Sequence, residues 1–271
     1  MTTFALIQTR FERIDPEDLC DALVSHGGMT HADASRSAHR DRGILGGGFS
    51  ESQATAIVKE LSIRGYEVGV VPANSLPHLG KPRIIHWCEF TDEALNIPEG
   101  LKGETTSIDW LSIRVINAGL VAEFEATATP EYLPGTLSVV GPRDSAEKGS
   151  PAWEQHSHYL SVVDLIAMTE TGRLIYLRLP AHELLYQRII GDCVGMQLFE
   201  RFHKVLEQLI QRSTHAMVPP DARKMLVRRM GESHVLSSDL RHFAETHEFE
   251  QYDQWLLTMA LRKRSSDQPP T

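Results

Sequence analysis

The start and stop signals spaced through residues 4–72 leave this part of the chain few alternatives. Phe4–Thr9 is a short apolar run that reads as a strand. Asp15-Pro16 places a capping side chain before a proline at the first helical position, and Leu19, Ala22, Leu23 and His26 then recur at helical spacing until Gly27-Gly28. Thr30 caps a second helix carrying Ala34 and Ala38, so the two form a helical hairpin. Gly43–Gly48 reads as a flexible loop. Ser50 and Gln53 make a capping box for a third helix with Ala54, Ile57, Val58 and Leu61 on one face, ended by Gly65. Tyr66–Val71 is β-branched and alternating. The expected order is strand, three helices, strand, with the two strands adjacent and the helices on one side.

The residues from Gly28 to Val70 resemble the C-terminal domain of the bacterial ribosomal stalk protein, a fold shared with the Clp protease adaptor. Gly28 precedes the second helix, Asp33-Ala34 follows, and Ser50, Ala54, Ile57, Leu61, Gly65 and Val68 keep the family's spacing without a gap. The resemblance implies an α/β sandwich that binds a protein or peptide partner. The chain departs from the stalk pattern in charge. Residues 15–25 hold Glu17, Asp18 and Asp21 and no basic residue, where the stalk protein presents cations to its factors. The second helix instead carries Arg36, His39 and Arg40 beside Gly46, Gly47 and Gly48. Opposite charges flanking one hairpin suit a partner of mixed polarity, so Arg36, His39, Arg40, Glu17 and Asp21 are the candidate protein-binding residues.

Residues 73–82, with prolines at 77 and 82, read as a linker. Beyond it, Arg83–Phe90 and Trp110–Ile116 read as strands, Asn117-Ala118-Gly119 as a turn, and Leu120–Ala126 as the returning strand of a hairpin. Tyr159–Met168 and Arg173–Leu179 make a second hairpin, while residues 130–157, rich in proline, read as a long exposed loop. Leu184–Ile190 reads as a strand or a helical turn. Met196–Arg212 has Leu198, Phe202, Val205, Leu206 and Leu209 on one face and is an amphipathic helix. Strands followed by one such helix resemble, in pattern alone, a pleckstrin-homology-like barrel with its closing helix. Two further helices are expected at 221–230 and 237–262. The fold class is therefore α+β: a stalk-like domain at 1–72, a linker at 73–82, a β-rich barrel-like domain with closing helix at 83–212, a helical extension at 213–264, and a polar tail at 265–271.

Composition narrows the function. The 271 residues carry 36 acidic and 27 basic side chains, a net charge of −9 that opposes binding to duplex nucleic acid. Three separated cysteines imply no disulfide framework, and no apolar run reaches the roughly 20 residues of a membrane-spanning helix, so a cytoplasmic location and no membrane partner are expected. The 13 histidines show no metal-ligand pattern. His26 with His31 and His242 with His247 are five apart, which on a helix separates the rings by about 140°. His156 and His158 share a strand face but lack a third ligand. His86-Trp87-Cys88 offers an imidazole and a thiol on one face, but an apolar strand favours a structural cysteine. Gly46, Gly47 and Gly48 precede a helix N-terminus, an arrangement that attracts anions. Arg223, Lys224, Arg228 and Arg229 form a basic helix face balanced by nearby acids, and Phe249, Tyr252 and Trp255 offer either core or a partner surface. The expectation is a non-catalytic, intracellular protein-binding or adaptor protein without cofactor or metal. The alternative is an enzyme whose site gathers dispersed histidines and carboxylates.

Overall fold

The computed structural model describes residues 2–40, 42–99, 104–124, 157–227 and 242–267. Six elements make the first unit: β1 (Phe4–Gln8), α1 (Pro16–Gly27), α2 (His31–Arg40), β2 (Ile44–Phe49), α3 (Glu51–Ile63) and β3 (Val68–Pro72). The capping logic is visible in atoms. Asp15 accepts from the Glu17 N–H at 2.8 Å, and Ser50 and Gln53 complete a reciprocal capping box. Gly28 ends α1 at φ 71°, the left-handed region that glycine enters without steric cost. The three strands form an antiparallel sheet in the order β2-β1-β3. One face packs against the helices through Leu6, Leu23, Phe49, Ile57 and Leu61.

The glycine-rich stretch differs from expectation. It is not a loop but the edge strand β2, pairing Leu6 with Gly46 and Ile7 with Ile44. Apolar Ile44, Leu45 and Phe49 are buried at its two ends, and this, with pairing to β1, outweighs the weak strand preference of three glycines. The unit is therefore strand, helix, helix, strand, helix, strand.

The rest of the described chain contains β4 (Arg83–Ile84), β5 (Glu89–Phe90), β6 (Ala94–Glu99), β7 (Glu104–Asp109), β8 (Ile113–Phe124), β9 (Ser157–Met168), β10 (Leu174–Pro180), α4 (Tyr186–Ile190), α5 (Leu198–Arg212), α6 (Pro220–Val227), β11 (His242–Phe243) and α7 (Thr246–Asp267). Five strands form one sheet, β11-β8-β9-β10-β4, and β5-β6-β7 form a separate small one. The expected hairpin turn at Asn117-Ala118-Gly119 is absent, because β8 runs straight through it and pairs along its length with β9. No strand is expected from sequence over 91–109, where β6 and β7 pair antiparallel.

A barrel is not formed. Among the described residues none of the sheets closes, and β11 and β4 are the outer strands of the five-stranded sheet. The segment expected to supply two strands supplies one, and among the described residues β5, β6 and β7 pair only with one another, so too few strands share one ladder for closure. Nor does α5 plug an end. It lies with α6 on one face of the five-stranded sheet, where Phe202, Val205, Leu206 and Leu209 meet Ile116, Ala118, Leu165 and Leu177. The expected polar tail is helical as far as Asp267. Most of the 130–157 loop, and residues 228–241, lie outside the described residues.

The opposite face of that sheet is covered by α7. This helix also covers the free face of the first sheet, so Ala5, Ile7, Ile44 and Val71 share one core with Val115, Val121, Val162 and Ile166. A helix buried on two sides needs apolar residues all round. Phe249, Tyr252, Trp255, Leu256 and Leu257 supply them, each at 1% exposure or less.

Candidate functional site

Within this apolar seam lies a row of polar side chains set by strand register. Asn117 on β8 stands opposite Asp164 on β9, which stands opposite Arg178 on β10. Directly opposed residues point to the same face, and Tyr176, two residues before Arg178, points there too. The helix above contributes Asp253 and Glu250. Arg178 grips Asp164 with both arms of its fork, Nε donating to Oδ1 at 2.8 Å and Nη2 to Oδ2 at 2.6 Å. The Tyr176 hydroxyl lies 2.8 Å from Asp164 Oδ2 and 2.7 Å from Asp253 Oδ2. Asn117 Nδ2 donates to Asp253 Oδ1 at 2.7 Å. Glu250, at the rim, takes Arg178 Nη1 at 3.4 Å.

Asp164 and Asp253 are both fully buried. Burial, chiefly, and the neighbouring Asp164 charge hold the Asp253 carboxyl well above the ordinary carboxylate range. Burial, first, and the neighbouring Asp253 and Asp164 side chains likewise push the Tyr176 hydroxyl far above its usual range. Arg178 is raised despite its burial, because Asp164 bonds its charged form. Sequence reading missed this set. Its signal was a polar interruption at the same depth in each of three apolar runs: Asn117 in the first, Asp164 in the second, and Tyr176 and Arg178 in the third.

A second feature lies at the β4 edge. Ile84, Ile85, Trp87, Ile97 and Pro98, with Arg83, His86 and Glu99, line an open cleft of about 400 Å³ between β4 and β6. Ile84 is 44% exposed and Leu185, whose N–H donates to the His86 carbonyl, is 49% exposed. At the rim Arg83 pairs with Glu99 at 2.9 Å, and the His86 ring lies 3.2 Å from Glu183. Arg188 stacks over Trp87 at 5.0 Å. Cys88 does not act with His86 as a nucleophile pair, since its thiol is buried and desolvation pushes it up to about 12.

The sequence-derived binding residues are distributed between local partners. Arg36 pairs with Asp33 at 3.4 Å, and the His39 ring bonds the Ser35 carbonyl at 2.8 Å. Arg40 reaches Glu245, just before α7, at 3.3 Å, which ties α2 to the later part of the chain. Glu17 lies in the first turn of α1, and Asp21 lies 3.6 Å from Arg64, which also engages Asp18 and Glu60. Gly46, Gly47 and Gly48 lie along the β2 edge, and two N–H groups at the start of α3 are engaged by the Ser50–Gln53 cap. Tyr252 and Trp255 are interior, so they do not form a partner surface. Lys224 pairs with Asp221, while Arg228, Arg229 and the His156 and His158 side chains lie outside the described residues. Among the described residues no three potential metal ligands cluster, and no helix is long and apolar enough to cross a membrane.

Comparison with family models, with curated proteins and with solved structures returns no match.

Proposed function

We propose that this chain is a non-catalytic, intracellular protein-binding adaptor that receives an extended, apolar segment of its partner along the open edge of β4. The observation that carries this reading is the juxtaposition of β4, an outer strand of the five-stranded sheet among the described residues, with the partly apolar cleft beside it. An edge strand offers unpaired backbone N–H and C=O groups to an added strand, and a neighbouring cleft accepts alternate side chains of that strand. Because the Arg83 guanidinium already pairs with Glu99, and Ile84, Ile85, Trp87 and Ile97 line the cleft, it favours apolar side chains at these positions. The resemblance of residues 28–70 to the stalk and adaptor domains accords with partner binding, and three buried free cysteines suit a reducing compartment.

Selection from a displayed peptide library tests this reading. Peptides with apolar residues at alternate positions should be enriched by the wild type and lost with Ile84→Lys, whose added charge would enter the cleft mouth. Retention by Ile84→Lys together with loss by Arg36→Glu/Arg40→Glu would move the surface to α2 and overturn the cleft.

The enzyme alternative has one observation in its favour: paired carboxyls with strongly shifted titration often mark catalytic sites. Against it, Asp164 and Asp253 have no exposed surface for a substrate to touch.

A further inference from the structure

The hydrogens in the buried seam can be counted. Tyr176 Oη carries one hydrogen but lies within hydrogen-bond distance of two carboxyl oxygens, at 2.8 Å and 2.7 Å. One hydrogen serves one acceptor. The second contact becomes a full hydrogen bond when the other carboxyl supplies a hydrogen of its own, and Tyr176 Oη, which also faces Arg178 Nη2 at 3.4 Å, has lone pairs to accept it. Asp164 is the ionised partner, since both of its oxygens accept from Arg178. In Asp253, Oδ1 accepts from Asn117, which leaves Oδ2 to hold the proton.

We propose that α7 is latched to the five-stranded sheet by a single proton, running as Asp253 Oδ2–H to Tyr176 Oη and Tyr176 Oη–H to Asp164 Oδ2, and that its loss to base releases the helix. Charge bookkeeping supports the assignment. Arg178 and Asp164 cancel, and Glu250 at the rim adds a negative charge, so ionising Asp253 would leave the seam with uncompensated negative charge away from water. The direction in which Asp253 is shifted agrees.

The groups facing Asp253 come from each packed element: Asn117 from β8, Asp164 from β9, Tyr176 and Arg178 from β10, and Glu250 from α7 itself. On the other side of α7, the first sheet presents uncharged Gln8, whose carbonyl accepts from Trp255 Nε1 at 2.8 Å. The Arg40–Glu245 pair lies at the exposed start of the helix. Because α7 joins both sheets, opening this latch loosens the joint between them.

The sign follows from proton counts. Above the ordinary carboxylate range the native chain holds a proton that the unfolded chain has lost, so stability falls as pH rises. The unfolding constant then grows by up to tenfold per pH unit until native Asp253 ionises. Asp253→Asn preserves the geometry of the protonated acid, its amide donating to Tyr176 and its oxygen accepting from Asn117. Urea unfolding of the full chain across pH should show the wild type losing stability relative to Asp253→Asn by that slope. Infrared spectra of the wild type at neutral pH should show a protonated carboxylic C=O band, which disappears at alkaline pH together with the near-ultraviolet dichroism of Tyr252 and Trp255. Parallel pH curves for the two chains overturn the latch. So does a wild type without the protonated band, a result that stands even where Asp253→Asn fails to fold.

Discussion

Three glycines separate backbone strain from crowding, and alanine at each tests how firmly α7 is seated: Gly43 meets it beside the first sheet, Gly119 meets it from the five-stranded sheet, and Gly48, which meets nothing, is the reference. At Gly48, with φ 83°, an added Cβ meets nothing within 4 Å, so Gly48→Ala reports strain alone. A left-handed L-residue costs about 1–2 kcal/mol, and the stiffer unfolded chain returns about 0.4–1 kcal/mol, leaving about 1 kcal/mol. At Gly119 the backbone is ordinary, but a Cβ would lie 3.0 Å from both Phe243 and Phe249, so Gly119→Ala reports crowding alone. Two rings yielding by a few tenths of an ångström put it at the low end of overpacking, about 1 kcal/mol. Gly43 combines both effects. It sits at φ 85°, and its Cβ would fall 2.3 Å from two atoms of the Trp255 ring. That ring is 1% exposed and fixed at its far end by the bond to the Gln8 carbonyl, so it cannot turn away. Strain of about 1 kcal/mol plus overpacking near its upper value of about 3 kcal/mol gives about 4 kcal/mol. With a urea slope of about 3 kcal/mol/M, the midpoint should fall by more than about 1 M for Gly43→Ala and by about 0.3 M for each of the others. Far-ultraviolet dichroism measures all three. Equal losses at Gly43 and Gly48 would refute a rigid seat for Trp255 and with it the shared core.

Two further outcomes follow from the same packing. Residues 1–75 carry their own caps and a one-sided core, so the isolated fragment should unfold cooperatively by circular dichroism, but it uncovers Ala5, Ile7, Ile44 and Val71 and should self-associate in sedimentation; a monodisperse fragment would show the α7 cover to be dispensable. Cys20, Cys88 and Cys193 are all buried, so the native chain should present no rapidly alkylated thiol at mildly alkaline pH, and labelling should appear only with unfolding.

The helices of residues 15–63 were legible in sequence because their signals are local. A cap such as Asp15 or Ser50 acts on N–H groups two or three residues away, and Gly28 acts on its own backbone. The β2 strand was illegible for the complementary reason. Three consecutive glycines have no local preference for extension, and what makes them a strand is the partner β1, some forty residues earlier. The aromatic content of α7 announced a buried helix. That it is buried on two sides depends on the distant placement of both sheets.

Asn117-Ala118-Gly119 shows why the candidate site was hidden. An asparagine and a glycine two apart within an apolar run have the composition of a turn. In this fold each answers to a distant packed neighbour instead: Asn117 because Asp253 on α7 needs a donor, and Gly119 because Phe243 on β11 and Phe249 on α7 occupy the space a Cβ would take. A turn and a buried polar row therefore produce the same local signal. They differ at long range, since a turn needs no matching residue elsewhere, whereas a buried polar group must be answered by others at the same depth. Asp164 among Val162, Val163, Leu165 and Ile166, and Arg178 between Leu177 and Leu179, are those answers, and the register of β8, β9 and β10 aligns them. Several apolar strands each interrupted by one polar residue thus argue for a shared network before any one interruption argues for a turn. The least replaceable member here should be Asp164, which alone faces both the Arg178 fork and the Tyr176 hydroxyl.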